Sequence, residues 1–154
     1  VMLAGGAHAL IIHVDADIAD HLDCGHPCPP ASDTADAVRA HVLRWGGEAA
    51  VPQGAVLCVP AQSTETWVVV ALDPDSPFVA GDVECKDAEA YLCGRKGAKL
   101  VARKSGRGRK GYDKDTARFA AAAEAVRDNW PRVEAACSQA ARFISDLKQS
   151  LASA

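Results

Sequence analysis

Two aspartates one residue apart, Asp15-Ala16-Asp17, directly follow the apolar run Ala9-Leu10-Ile11-Ile12-His13-Val14. In an extended segment that spacing turns both side chains to one face. Two like charges so close repel unless a cation lies between them. Mg²⁺ is the natural occupant, since it prefers oxygen ligands and keeps waters that a phosphate can replace. The plainer reading is that these aspartates, with Asp20 and Asp23, decorate an exposed loop. A second set, Ser63 and Glu65, follows the apolar run Ala55-Val56-Leu57-Cys58-Val59. There a hydroxyl and a carboxylate could hold a second cation or position a water. The alternative is a helix start, with Ser63 capping and Glu65 facing the helix dipole. His13 shares the face of the aspartates and could ligate metal or hydrogen-bond a carboxylate, although a structural role is simpler.

A third set is basic. Between residues 94 and 114 stand nine Lys or Arg, from Arg95 to Lys114, against the single acid Asp113. The whole chain carries 17 basic and 20 acidic residues and a net charge of -3, so the remainder is strongly acidic. A Gly-punctuated basic loop can follow a phosphate backbone without reading bases. Arg103, Lys104, Arg107, Arg109 and Lys110 are its candidate nucleic-acid contacts; a solvated loop is the alternative. Cys24, His26 and Cys28 could offer thiolate and imidazole ligands to Zn²⁺, with Cys85 and Cys93 able to complete four ligands. Free thiols are the other reading. With six cysteines and no secretory signal at the start of the chain, reduced thiols are expected.

These residues need elements to position them. At 154 residues the chain is one domain or a little more. With 49% hydrophobic and 24% charged residues it is neither disordered nor collagen-like. Aromatics are 5%, so the core must come from Ala, Val, Leu and Ile. No apolar run reaches the ~18 residues of a membrane span, and a soluble, cytoplasmic protein with no membrane partner is expected. The two apolar runs predict parallel strands buried on both faces. Between them, Ser32 or Asp33 can cap a helix carrying Ala35, Val38, Val42 and Trp45, stopped by Gly46-Gly47. Residues 62–72 are β-branched but begin like a helix, and a helix is favoured because the strands need cover. The stretch 115–151 is predicted helical and split near Pro131, with an apolar seam at Val126, Trp130, Val133, Cys137, Ala140, Ile144, Leu147 and Leu151. Trp45, Trp67 and Trp130 are expected in the core. The organisation is therefore an α/β domain over 1–93, a basic Gly-rich loop over 94–114, and C-terminal helices over 115–154 packing on the same domain. Ligands of such sheets gather at the carboxyl ends of strands, where both acidic sets lie.

An apolar strand ending in Asp-x-Asp, a later strand followed by Ser-x-Glu, and a downstream Lys resemble the TOPRIM domain of topoisomerases, bacterial primases and OLD-type nucleases. The likeness is closer to small standalone TOPRIM proteins of bacterial phage-defence loci. It rests on His13-x-Asp15-x-Asp17, Pro60-x-x-Ser63-x-Glu65-x-Trp67 and Tyr112-x-Lys114. The resemblance implies a TOPRIM-like, Rossmann-like parallel sheet flanked by helices. It implies that Asp15 and Asp17 bind Mg²⁺ or Mn²⁺, and that Glu65 holds a second metal or orients a water with help from Ser63. Lys114, or otherwise Lys110 or Lys104, would stabilise the charge on the phosphorane. The implied activity is that of a Mg²⁺-dependent nuclease, a hydrolase of DNA or RNA phosphodiesters serving in phage defence beside an ATPase partner. The chain itself has no Gly-x-x-x-x-Gly-Lys-Ser/Thr phosphate loop. A TOPRIM domain also opens with a strand ending in glutamate. No acidic residue precedes Asp15, so that strand is expected upstream of Val1 or is absent. If it is absent, the alternative is a non-catalytic nucleic-acid or protein interaction module, with the 126–151 seam serving as a homo-oligomer contact.

Overall fold

The short apolar runs pair in parallel as β1 (Leu10–His13) and β2 (Ala55–Cys58), with Leu10 opposite Ala55 and His13 opposite Cys58. The computed structural model describes residues 8–22, 28–94, 100–103 and 112–153. Hydrogen bonds carry the ladder past both strand ends: the Val14 N–H donates to the Cys58 carbonyl (3.0 Å) and the Ala16 N–H to that of Pro60 (3.0 Å). β2 is buried throughout, as expected. β1 corrects the expectation of burial on both faces, because Leu10 is 40% and Ile11 48% exposed. Among the described residues it pairs only with β2.

The crossover helix α1 (Ala31–Gly46) ends where Gly47 turns left-handed (φ 71°) and the Glu48 N–H closes on the Leu43 carbonyl. Only glycine adopts that conformation without strain. Successive residues beyond and within β2 then diverge. Leu57 and Val59 pack on Ala35 and Val38 of α1 and on Ala16 and Ala19 of a 3₁₀ turn, Ala16–His21. Cys58 packs on the other side with Trp67, Val70, Val133 and Ala140. Helices therefore cover both faces of a small parallel sheet, and the chain is a mixed α/β protein.

The stretch 62–72 contains the predicted helix, α2 (Glu65–Leu72). Its β-branched run tolerates a helix because it is enclosed. Trp67 and Val70 face α5 (Trp130–Ala136) and α6 (Ser138–Ala152), while Val68 and Val69 face α3 (Ala88–Gly94) and α4 (Thr116–Asp128). A helix that is apolar all round is stable when buried in this way. The C-terminal stretch breaks at Asn129, with Pro131 in the first turn of α5, and again at Cys137. The seam is internal at Val133, Cys137 and Ala140, and only its end, at Leu151, is 48% exposed. Trp67 and Trp130 meet edge to face, 5.6 Å between centroids. Trp45 corrects the expectation of core packing: it is 62% exposed near the end of α1, against the His41 ring.

Two further expectations are corrected. The basic stretch is not loop throughout, since its described parts form an antiparallel pair, β3 (Val101–Arg103) with β4 (Tyr112–Lys114). Among the cysteines, Cys28 and Cys85 are joined in a disulfide, with Cα atoms 5.5 Å apart across 57 positions of sequence. The fold brings them together, which spacing alone could not reveal. Such bonds persist mainly in oxidising compartments, which sits against the cytoplasmic expectation. Cys58 and Cys137 are buried thiols, pushed up to about 11 and about 12 by burial, and are chemically quiet.

Cys85 lies in a second 3₁₀ turn, Val83–Cys85, that is fixed from the far side by Glu84. The buried Glu84 carboxylate accepts from the Ser138 N–H (2.7 Å), the Ser138 hydroxyl (2.6 Å) and the Gln139 N–H (3.0 Å). It thereby caps α6 from another segment, where the helix leaves N–H groups unpaired. Replacing Glu84 by Ala is expected to cost about 2 kcal/mol. Urea denaturation of both proteins measures it, and a loss well under half of that would demote this cap.

Candidate functional site

Asp15 follows β1, and Asp17 lies in the 3₁₀ turn after it, so the pair does not sit on one strand face as the spacing suggested. The strand gives way first. The two side chains are nevertheless close enough for Asp15 to act electrostatically on Asp17. The connection from β2 to α2 comes alongside. The Thr64 N–H donates to Asp15 Oδ1 (3.1 Å), and His13 Nε2 stands 3.4 Å from the same oxygen. The Asp17 N–H donates to the Gln62 carbonyl (2.9 Å). Gln62 has φ 54°, a left-handed conformation that costs a non-glycine residue of order 1 kcal/mol. That strain sits between the two acidic sets.

Glu65 opens α2 and is only 2% exposed. Its Oε1 is ion-paired with the Lys114 ammonium at the end of β4, and its Oε2 is buried with no hydrogen-bond partner. Lys114 also reaches Glu89 Oε1 at 2.9 Å. Burial alone would lower the Lys114 ammonium, but the hydrogen bonds it donates to Glu65 and Glu89 overcome this and hold it above its ordinary value. Thr64, not Ser63, is the residue before α2, and no side chain caps that helix, so the simple capping reading of Ser63 and Glu65 does not hold. Ser63 is buried beside the site.

The sequence-predicted Asp15, Asp17, Ser63, Glu65 and Lys114 therefore converge where both parallel strands end. Glu89 and Gln62 join them, and neither was anticipated. Glu89 could have been found only by knowing that α3 packs on α2. A cleft of about 320 Å³ opens beside them, lined by Asp17, Gln62, Ser63, Cys85, Lys86, Asp87, Ala88 and Glu89. Lys104, Arg107, Arg109, Lys110, Cys24 and His26 lie outside the described residues, and of Arg103 only the strand placement is described. Cys28 is bonded to Cys85 and so offers no free thiolate to Zn²⁺, which removes it from the expected zinc set.

Among the described residues, Asp15, Asp17, Glu65 and Glu89 gather around the Lys114 ammonium. Burial raises Asp15 above the usual carboxylate range, and Glu65 adds to this, against the pull of His13, the Thr64 N–H and Lys114. Burial also raises Asp17, with Asp15 and Glu89 adding to it. Among the described residues no three His, Cys, Asp or Glu side chains form a group that could hold a metal ion as they stand. The donors gathered here are all oxygen, the ligand type a hard divalent cation takes, and Glu65 Oε2 is buried without a partner. No family model, curated protein or solved structure matches the chain.

Two outcomes follow. Lys114→Met leaves Glu65 buried without its counter-charge and should cost about 3 kcal/mol, most of it recovered by adding Glu65→Gln. Denaturation of the single and double variants checks this, and additive losses would rule out the pairing. The raised Asp17 holds its proton longer folded than unfolded, so its contribution falls as pH climbs from the ordinary 3.8 through its raised value. Asp17→Asn should therefore raise the melting temperature at pH 7 in a chelating buffer and give no gain below the ordinary value. An equal gain at both pH values would contradict that origin.

Proposed function

We propose that this chain is a TOPRIM-like, Mg²⁺-dependent nuclease acting on DNA or RNA phosphodiesters. The observation that carries the reading is the meeting of Asp15, Asp17, Glu65 and Lys114 at the carboxyl ends of two parallel strands. Asp15, Asp17 and Glu65, with Ser63 at the edge of the cleft, would hold Mg²⁺ or Mn²⁺. The bound ion would supply Lewis-acid polarisation of the phosphate and a more acidic water. The protein's own part is positional and electrostatic. The Thr64 N–H and His13 orient Asp15. Lys114 is a partly exposed ammonium at the end of β4, and would turn from the glutamates to a phosphate oxygen whose charge grows during attack. The basic residues of the stretch 94–114 would track the nucleic-acid backbone. An ATPase partner and a role in phage defence belong to this reading through the sequence resemblance alone.

One observation favours the second reading, a non-catalytic nucleic-acid-binding module. Lys114 already pairs with both glutamates, and a resident counter-ion lessens the need for a metal. One experiment separates the two: plasmid, single-stranded DNA and tRNA incubated with the protein in Mg²⁺ or in EDTA. Cleavage is expected only with Mg²⁺, lost in Asp15→Asn and Asp17→Asn, and lowered about a hundredfold in Lys114→Met. Retention of nucleic acid without cleavage, unchanged by Asp17→Asn, would replace the nuclease by the binding module.

A further inference from the structure

The acidic cleft is lined on one side by Asp17, in the 3₁₀ turn Ala16–His21. Ala16 and Ala19 of that turn pack on Ala35 and Val38 of α1, so the turn is seated on the helix. On the other side the lining runs from Cys85 to Glu89. The polar contacts of this wall, and of Glu84 just before it, lead away from α1. Glu84 accepts from the start of α6, Lys86 donates to the Phe78 and Ala80 carbonyls, and Glu89 pairs with Lys114. The Cys28–Cys85 bond ties the same wall to α1, since Cys28 stands just before that helix. One covalent bond therefore joins the side that holds Asp17 to the side that holds Glu89.

The bond lies outside the apolar core. Both cysteines are half-buried, and neither belongs to any of the three apolar clusters. A disulfide is indispensable where a small chain has too little core to fold; here the core is assembled without it. The contacts of Glu84, Lys86 and Glu89 also hold the wall to the helices when the bond is open. We propose that the Cys28–Cys85 bond is a redox-controlled strap on the cleft: a dithiol reductant opens it in the folded chain and releases the wall Cys85–Glu89 from α1, and reoxidation fastens it again. One thiolate of the dithiol attacks one sulfur of the pair and forms a mixed disulfide, while the other cysteine leaves as a thiolate. The second thiol of the reductant then displaces the first cysteine. The reductant departs as a disulfide, and its two electrons and two protons end on Cys28 and Cys85. This device does not depend on the chemistry that the cleft performs.

The test compares the full chain, air-oxidised, with the same chain in millimolar dithiothreitol without denaturant. Alkylation by iodoacetamide followed by peptide mass spectrometry reads the state of Cys28 and Cys85, and hydrogen exchange reads the wall. Cys28 and Cys85 should be protected before reduction and alkylated after it. Amides of residues 85–89 should then exchange at least about tenfold faster, with those of β2 and α2 unchanged and a single cooperative melting transition retained. Oxidised glutathione should restore the slow exchange. Cys85→Ser should show the fast exchange with no reductant present, and Cys28→Ser should do the same by cutting the strap from its other end. Alkylation of both cysteines before reduction, opening of the bond only in denaturant, loss of protection in β2 together with the wall, or equal wall exchange in both redox states would overturn the proposal.

Discussion

A carboxylate taken out of water must be met by a cation or by enough hydrogen-bond donors, or surrender its charge, and Glu65 imposes that condition on this fold. It stands in the first turn of α2, where the helix dipole helps, but the larger part of the compensation comes from Lys114. Lys114 reaches it only because β4 pairs with β3, which packs beside α2 and α3. The next residue continues the arrangement. The Asp115 N–H donates to the Leu100 carbonyl (3.1 Å), and the Asp115 side chain accepts from the Arg118 N–H, capping α4. One short segment thus neutralises a buried charge, closes a strand pair and starts a helix.

The remaining wall of the cleft is held as firmly. The segment from Val83 to Glu89 is tied to the loop before α1 by the Cys28–Cys85 bond and to α6 by Glu84. Lys86, within it, donates to the Phe78 carbonyl (2.7 Å) and also to that of Ala80. A segment with little regular structure is in this way immobilised from three directions. That is how a cleft wall built from a loop can hold Glu89 at a fixed place opposite Asp17.

Much of this arrangement was legible in the residues. The two apolar runs, the crossover helix with its Gly46-Gly47 stop and the break at Pro131 follow from local chemistry that tertiary packing did not override. The convergence of Asp15, Asp17, Ser63 and Glu65 was readable because parallel strands deliver their carboxyl ends to one place. What local pattern could not supply was anything decided by pairing across the chain. Cys28 meets Cys85 across 57 positions of sequence, and Glu84 meets Ser138 across 54. The exposure of Leu10, Ile11 and Trp45 has the same origin: an apolar residue on a strand or helix reports that it can be buried, and the neighbouring layer decides whether it is.

Glu65 and Glu84 are both buried glutamates in one small protein, and their surroundings differ in kind. Glu84 meets three donors, from two backbone N–H groups and a hydroxyl, and both of its oxygens are used. A carboxylate satisfied so completely has no capacity left for a ligand, and its work is to hold α6. Glu65 has one oxygen on an exposed-ended lysine and the other on nothing, beside Asp15 and Asp17, whose ionisation burial already disfavours. Folding alone would have removed this cluster at no loss of core, since apolar side chains would fill the same space more stably. A mutually repelling set of acids with one orphaned oxygen, at the end of a parallel sheet, is instead what the proposed metal site would require.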